Sequence, residues 1–281
     1  MQLPSSITQA SRGSLDTLVL SNAFGRCEIS LFGAHVLSYV PQSDQRERLW
    51  LSQSAIFDGI SAIRGGVPVC WPWFSDNHGN RQEDLPSHGY VRKQQWTLND
   101  CKDDDNGTAV TLVPQSVQGP GFDYAAQLKI VVHLGEQLSI TLVTRNLGSE
   151  PFPLSCALHT YFAVEDIQRS ELIGLKGEYL DKTRGFDTFS TPSPYRFTME
   201  TDRIHLDAAE HLTIQHPGGV TEVDSSGHNS IVVWNPWQDK ATAMADMRED
   251  GYLTMLCVET AVTGDVSLAP GQTLALQQRI G

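Results

Sequence analysis

The chain has 281 residues, 40% of them hydrophobic, so a sizeable core is available as two domains or as one large all-β fold. A net charge of −13 and a pI near 5.0 exclude DNA or an anionic membrane surface as the expected partner. A few arginines can still form a local pocket for a small anion.

Residues 1–14 are polar and read as a lead-in, with one domain expected over 15–281. From there, short runs of period two recur to the end of the chain. The strand candidates are 16–20, 25–31, 34–40, 108–113, 126–134, 137–147, 154–163, 171–176, 211–216, 230–235, 253–262 and 273–280. The runs 126–134 and 137–147 flank a short Gly135 turn and form a hairpin. Asp103-Asp104-Asp105-Asn106-Gly107 reads as a solvated hairpin tip. Helical periodicity is scarce, with single turns expected near 53–57, 166–169 and 203–209. This pattern predicts an all-β, antiparallel β-sandwich rather than an alternating βαβ fold.

Five cysteines (Cys27, Cys70, Cys101, Cys156 and Cys257) are widely spaced, without a C-x-x-C, which predicts free thiols in a reducing compartment. The start of the chain lacks the basic and apolar blocks of a secretion signal, and no run approaches the ~20 apolar residues that cross a bilayer. A cytoplasmic protein without membrane contact is expected.

The densest chemical segment is A-I-R-G-G-V-P-V-C-W-P-W-F at 62–74. Arg64 precedes a glycine pair that permits tight bending, and its planar fork suits a phosphate or carboxylate. The alternative is a structural arginine closing the loop on carbonyls. L-P-S-H-G-Y-V-R at 85–92 places Ser87, His88 and Arg92 together, and Arg64 and Arg92 are able to converge on one anion. His88 beside Gly89 also reads as structural. Asp202 adjoins Arg203 in E-T-D-R-I-H-L, where a surface ion pair of little worth is the plain reading. Trp234 and Trp237 are core residues or a sugar-stacking platform. His205, His211 and His216 match no usual zinc spacing, so no metal is expected.

His159 and Glu259 are each set in an apolar strand-like run, L-S-C-A-L-H-T-Y-F-A-V and L-T-M-L-C-V-E-T-A-V. Alternation puts Ser155, Ala157, His159 and Tyr161 on one face, which suits a cleft floor, and sends Leu158, Phe162 and Val164 toward a core. Glu259 shares a face with Cys257 and Ala261. A carboxylate there needs a partner, a shifted pKa or a site to face.

Over roughly 30–280 the chain resembles the hexose-6-phosphate mutarotases (glucose-6-phosphate 1-epimerases) of the aldose 1-epimerase superfamily. The matching strings are G-A-H-V-L-S-Y, the 62–74 and 85–92 segments, A-L-H-T-Y-F, T-D-R-I-H, W-N-P-W and C-V-E-T-A. The resemblance implies a galactose mutarotase-like β-supersandwich, with His159 as general acid and Glu259 as general base. It associates Arg64 and Arg92 with a substrate phosphate, Asp202 with sugar hydroxyls, and His88 with the active site. Ser87 stands where some relatives carry Gln. No cofactor is implied, and a monomer acting on a small sugar phosphate is expected. Mutarotation needs a base at the C1 hydroxyl and an acid at the ring oxygen, both titrating near neutrality. The resting pair is therefore expected as ionised Glu259 and protonated His159, spaced to admit a pyranose edge between them. Competing readings are an epimerase for unphosphorylated aldoses and a non-catalytic carbohydrate-binding domain. A glycoside hydrolase lacks an evident second carboxylate.

Overall fold

A computed structural model describes residues 2–76 and 85–281. Its architecture is almost entirely antiparallel strand. The site-bearing sheet runs in the order Asp187–Ser190, Glu178–Asp181, Thr201–His205, Ser230–Asn235, Met255–Val262, Cys156–Leu158 and Val69–Cys70, with Tyr161–Ala163 also paired to Met255–Val262. Against its back lies a nine-stranded sheet. That sheet contains the predicted hairpin, observed as Ala126–Leu134 and Leu138–Asn146, and the strand Thr273–Ile280. A four-stranded meander at the start and a two-stranded ribbon complete the sheets.

The sandwich core follows from the alternation. Leu158, Phe162, Leu256, Val258 and Val262 point backward into the same cluster as Ile140, Leu142, Leu276 and Ile280. Burial of such side chains at about 25 cal/mol per Å² is the main force holding the layers together. The other face of the same strands carries the chemistry.

One interruption shapes that face. Cys156–Leu158 and Tyr161–Ala163 pair with Met255–Val262 in a single register, since Leu158 opposes Thr260 and Tyr161 opposes Cys257. Between them the ladder is broken. The Val258 amide still donates to the Thr160 carbonyl, and the His159 amide donates to Pro68 in the register of the Val69–Cys70 pairing, but the Thr160 amide turns back to Leu158. The Val258 carbonyl thus loses its expected strand donor. Gln278, from the opposite sheet, replaces it: its Nε2 donates to that carbonyl at 3.1 Å and to Thr260 Oγ1 at 2.8 Å, while its Oε1 accepts from Thr160. A buried backbone acceptor needs such a partner.

Several strands escaped the periodicity. Ile7–Arg12, read as lead-in, is an edge strand with four consecutive exposed residues, so it shows no apolar alternation. Trp96–Asp104, Glu178–Asp181, Asp187–Ser190 and Gly219–Ser226 are also strands rich in polar residues. Thr201–His205 is a strand rather than a helical turn, and 53–57 is not helical, whereas a 3-10 turn does occupy Ile167–Arg169. The Asp105–Asn106 hairpin tip is as expected. The α-helix Trp237–Ala243 follows the W-N-P-W segment.

The segment before the site is clamped by close backbone contact. Trp71 and Gly89 form an isolated bridge, and a Cβ on Gly89 would lie 1.9 Å from the Trp71 carbonyl oxygen. Gly89 also has φ +67°, as Gly185 has φ +66°, but a Cβ on Gly185 meets nothing within 4 Å.

Two predictions follow from these contacts. Gln278→Leu leaves the Val258 carbonyl and the Thr160 hydroxyl without their partner, while Thr260 keeps Ser225, and costs about 1–3 kcal/mol in denaturant unfolding. Gly185→Ala costs only the left-handed strain of about 1 kcal/mol, whereas Gly89→Ala costs several times more; equal losses in the two variants would contradict the clamp.

Candidate active site

His159 and Glu259 occupy opposed positions in the interrupted ladder, at the non-hydrogen-bonded place where facing side chains come closest. His159 Nε2 lies 3.3 Å from Glu259 Oε1. The two are 9% and 1% exposed. Among the described residues, His159 Nδ1 and Glu259 Oε2 have no hydrogen-bond partner. The pair is therefore in direct lateral contact, and the expected gap for a pyranose edge between the two side chains is absent. The chemistry accommodates this. O1 and O5 are bonded to one carbon, so neighbouring acid and base serve them from one side of the sugar.

Burial pushes the Glu259 carboxyl well above the ordinary carboxylate range, with nearby Asp202 adding to the shift and Lys182 opposing it. Burial likewise pushes His159 well below the imidazole range, reinforced by His88, Arg92 and Arg64. Both directions favour the uncharged arrangement, a protonated Glu259 beside a neutral imidazole. Both directions run against the expected resting ion pair, because a buried pair loses more solvation on ionising than a surface pair does. The proton count is unchanged at one per pair.

The surrounding floor is set by strand register. Asp202 opposes Trp234, Trp234 opposes Cys257, and Cys257 opposes Tyr161. In the adjacent row, Ile204, Val232 and Glu259 align. Tyr161 stacks on His159 with centroids 5.0 Å apart, and Trp50 stacks on Tyr161 at 5.9 Å. Trp234 meets His159 edge-on at 6.1 Å. Trp237 lies off this row, against Tyr252.

Arg64 is fixed by the glycine pair behind it. A Cβ on Gly66 would sit 2.3 Å from the Val36 carbonyl, and the Gly65 carbonyl accepts from His35 at 2.6 Å. The Arg64 Nε lies 3.2 Å from both Asp246 oxygens, and its Nη1 donates to the Tyr161 hydroxyl at 2.9 Å. Arg92 Nη2 donates to the Ser87 carbonyl at 2.9 Å, while its buried Nε is without a partner among the described residues. The contact recorded for Ser87 is thus made by its backbone.

His88 holds φ +64° and packs edge-on against His159 at 5.4 Å. The Ser75 amide donates to its Nδ1 at 3.2 Å. Burial, aided by Arg92, Lys182 and Arg64, lowers His88 to about 3. A neutral His88 accepting at Nδ1 carries its proton on Nε2 and is a donor there. Three cations thus act together on this corner of an acidic protein.

Asp202 is bonded to Lys182, with Nζ 3.2 Å from Oδ2. It is drawn into the site and is not the surface partner of Arg203, which instead pairs with Asp181 at 3.4 Å. Lys182 escaped notice in the sequence because only the register of the Glu178–Asp181 and Thr201–His205 strands brings it opposite Asp202. Both line a cavity of about 550 Å³ with Phe74, Ser75, Ser155 and Ile204.

Donor atoms of His159, Cys257 and Glu259 lie within 4.8 Å of one another. The setting does not fit a metal ion. Arg64, Arg92 and Lys182 all act on the site, and burial holds the Cys257 thiol protonated.

The aldose 1-epimerase family model matches residues 16–281. An Escherichia coli K12 protein named "putative glucose-6-phosphate 1-epimerase" is 34% identical over 89% of this chain and 84% of its own length. A Cenchrus ciliaris protein of the same name is 33% identical over 96% of this chain and 86% of its own. The crystal structure of a Salmonella typhimurium protein described as a "putative mutarotase" superposes with a TM-score of 0.89 at 31% identity, covering 99% of this chain and 94% of that one. The fold is therefore the galactose mutarotase-like sandwich, and the chain belongs to the aldose 1-epimerase family and is an epimerase.

Proposed function

We propose that residues 15–281 act as one domain that interconverts the α and β anomers of a hexose 6-phosphate by acid–base ring opening and reclosure. The observation that carries this reading is the His159–Glu259 contact at 3.3 Å, buried on the cleft floor under the charge of Arg64, Arg92 and Lys182. Arg64 and Lys182 are paired with Asp246 and Asp202, whereas the buried Arg92 Nε has no partner among the described residues and is left to meet an anion. The relatives' names point to the same substrate class. Glucose 6-phosphate is the substrate we favour. No helix among the described residues is long and apolar enough to cross a membrane, and none of the five cysteines forms a disulfide.

The proton steps follow from the unpartnered atoms. The C1 hydroxyl of the bound sugar donates to Glu259 Oε2 and stabilises the carboxylate. The pair's proton then crosses to His159, which faces O5. As the C1–O5 bond breaks, Glu259 takes the O1 proton and His159 delivers its own to O5, giving the open-chain aldehyde. Rotation about C1–C2 presents the other carbonyl face. His159 then takes the proton from the O5 hydroxyl as O5 attacks C1, and Glu259 returns its proton to O1. The His88 Nε2–H steadies charge developing on the sugar oxygens. Arg92, with its free Nε, is the stronger candidate for the phosphate, since Arg64 is already engaged by Asp246 and Tyr161.

The direct assay dissolves pure α-glucose 6-phosphate with excess β-specific dehydrogenase and measures the catalysed rate. His159→Ala and Glu259→Gln should each lose at least ~100-fold. Arg92→Gln should lower the preference for glucose 6-phosphate over glucose by ~10-fold or more. Equal wild-type rates on both sugars would favour the epimerase for unphosphorylated aldoses.

The pH profile has a definite sign. The working pair holds one proton, so activity falls as acid protonates His159 at its lowered pKa, and as base removes the last proton at the raised pKa of Glu259. The kcat/KM profile, which reports the sugar-free enzyme, should therefore be flat through pH ~6.5, the ordinary imidazole value, once ionisation of the substrate phosphate is allowed for. A steep limb there that disappears in His159→Ala would contradict this assignment.

A further inference from the structure

We infer that Lys182 is a substrate-binding, specificity-determining residue that reads the sugar's C2–C3 diol together with Asp202. This rests on the anomer-exchange reading above and adds to it a residue and a region of the sugar.

The first support is the order of groups across the sheet. Arg92, the stronger phosphate candidate, acts at one end on His159 and on the His88 ring packed against it. Next come His159 and Glu259 on neighbouring strands. Asp202 lies two strands beyond Glu259, about 10 Å away at the usual strand spacing. Lys182 follows, opposite Asp202. The atoms of a hexose 6-phosphate follow the same order: the C6 phosphate, O5, C1, then C2 and C3. With O5 at His159 and O1 at Glu259, the ring can extend toward Asp202 only along its C2–C3 edge. C4 is then directed away from this pair.

The second support is how firmly Lys182 is held. It begins a 3-10 turn whose cap, Asp181, accepts from the Thr183 amide at 3.0 Å and from Arg203 at 3.4 Å. The Lys182 ammonium is bonded to Asp202 at 3.2 Å and to Ser75 Oγ at 3.4 Å. An ammonium has three donors, so among the described residues one is left for the cavity that Lys182 and Asp202 share. A carboxylate accepting from one hydroxyl and an ammonium donating to its neighbour is a fitting arrangement for a vicinal diol. The neighbouring Lys240 is engaged by Glu200 at 2.9 Å and does not duplicate this role.

The test compares wild type, Lys182→Met and Lys182→Arg on glucose 6-phosphate, its 2-deoxy and 3-deoxy analogues and galactose 6-phosphate, with the spontaneous rate subtracted. Wild type should handle at least one deoxy analogue ~10-fold less efficiently than glucose 6-phosphate, as the loss of one charged hydrogen bond predicts. In Lys182→Met that penalty should vanish, mainly through a raised KM for glucose 6-phosphate, and Lys182→Arg should restore part of it. The penalty for galactose 6-phosphate, altered at C4, should stay within about twofold. Deoxy penalties unmoved by Lys182→Met, or a galactose penalty that moves as far, would overturn the assignment. Thermal unfolding of the variants separates misfolding from lost recognition, because misfolding lowers every substrate alike. Wild-type protein inactive on all four phosphates would remove the anomer-exchange reading and this one with it, whereas an active wild type with unmoved ratios removes only the role of Lys182.

Discussion

A broken rung in a buried strand ladder is the constraint on which the site depends. At His159–Thr160 the chain departs from regular pairing while keeping its register with the strand Met255–Val262. The His159 amide still bonds Pro68, continuing the register of the Val69–Cys70 pairing, and the imidazole lies against Glu259 at the opposed position. The departure leaves a buried carbonyl that Gln278 must satisfy from the other sheet. Site and sandwich core are thus joined by one side chain. A regular strand here would satisfy the Val258 carbonyl without help from the other sheet.

Electrostatics then set the state of the pair. A fully buried acid and base in contact favour the neutral arrangement, and the surrounding cations lower the proton affinity of His159 and His88 further. The site is poised rather than charged: one proton is held between two groups, and in the proposed mechanism a bound sugar reverses their order of affinity. Lys182 balances Asp202, which by itself would drive the Glu259 pKa higher still.

Much of this was legible in the sequence, for a definable reason. Period-two alternation separates faces within one strand, so the floor positions of His159 and Glu259 and the backward direction of Leu158, Val258 and Val262 could be read directly. Alternation says nothing about register between strands. The 3.3 Å contact, the opposition of Lys182 to Asp202 and the stacking of Trp50 on Tyr161 are all register effects. The same limit explains the missed strands. Ile7–Arg12 is polar at an edge, and Thr201–His205 mixes charged and apolar residues because its polar side chains serve the site and a neighbouring ion pair. Alternation shows an acid and a base but not how deeply they are buried, and that depth is what turns the balance toward the neutral pair.

The central claim is that the sugar-free pair keeps its single proton on Glu259. Difference infrared spectroscopy of wild type against Glu259→Gln at neutral pH tests it most directly. The account predicts a protonated carboxyl stretch that is absent from the variant and weakens when sugar phosphate binds. A carboxylate band alone, together with an imidazolium signal for His159 in nitrogen-15 spectra of the sugar-free protein, would contradict it.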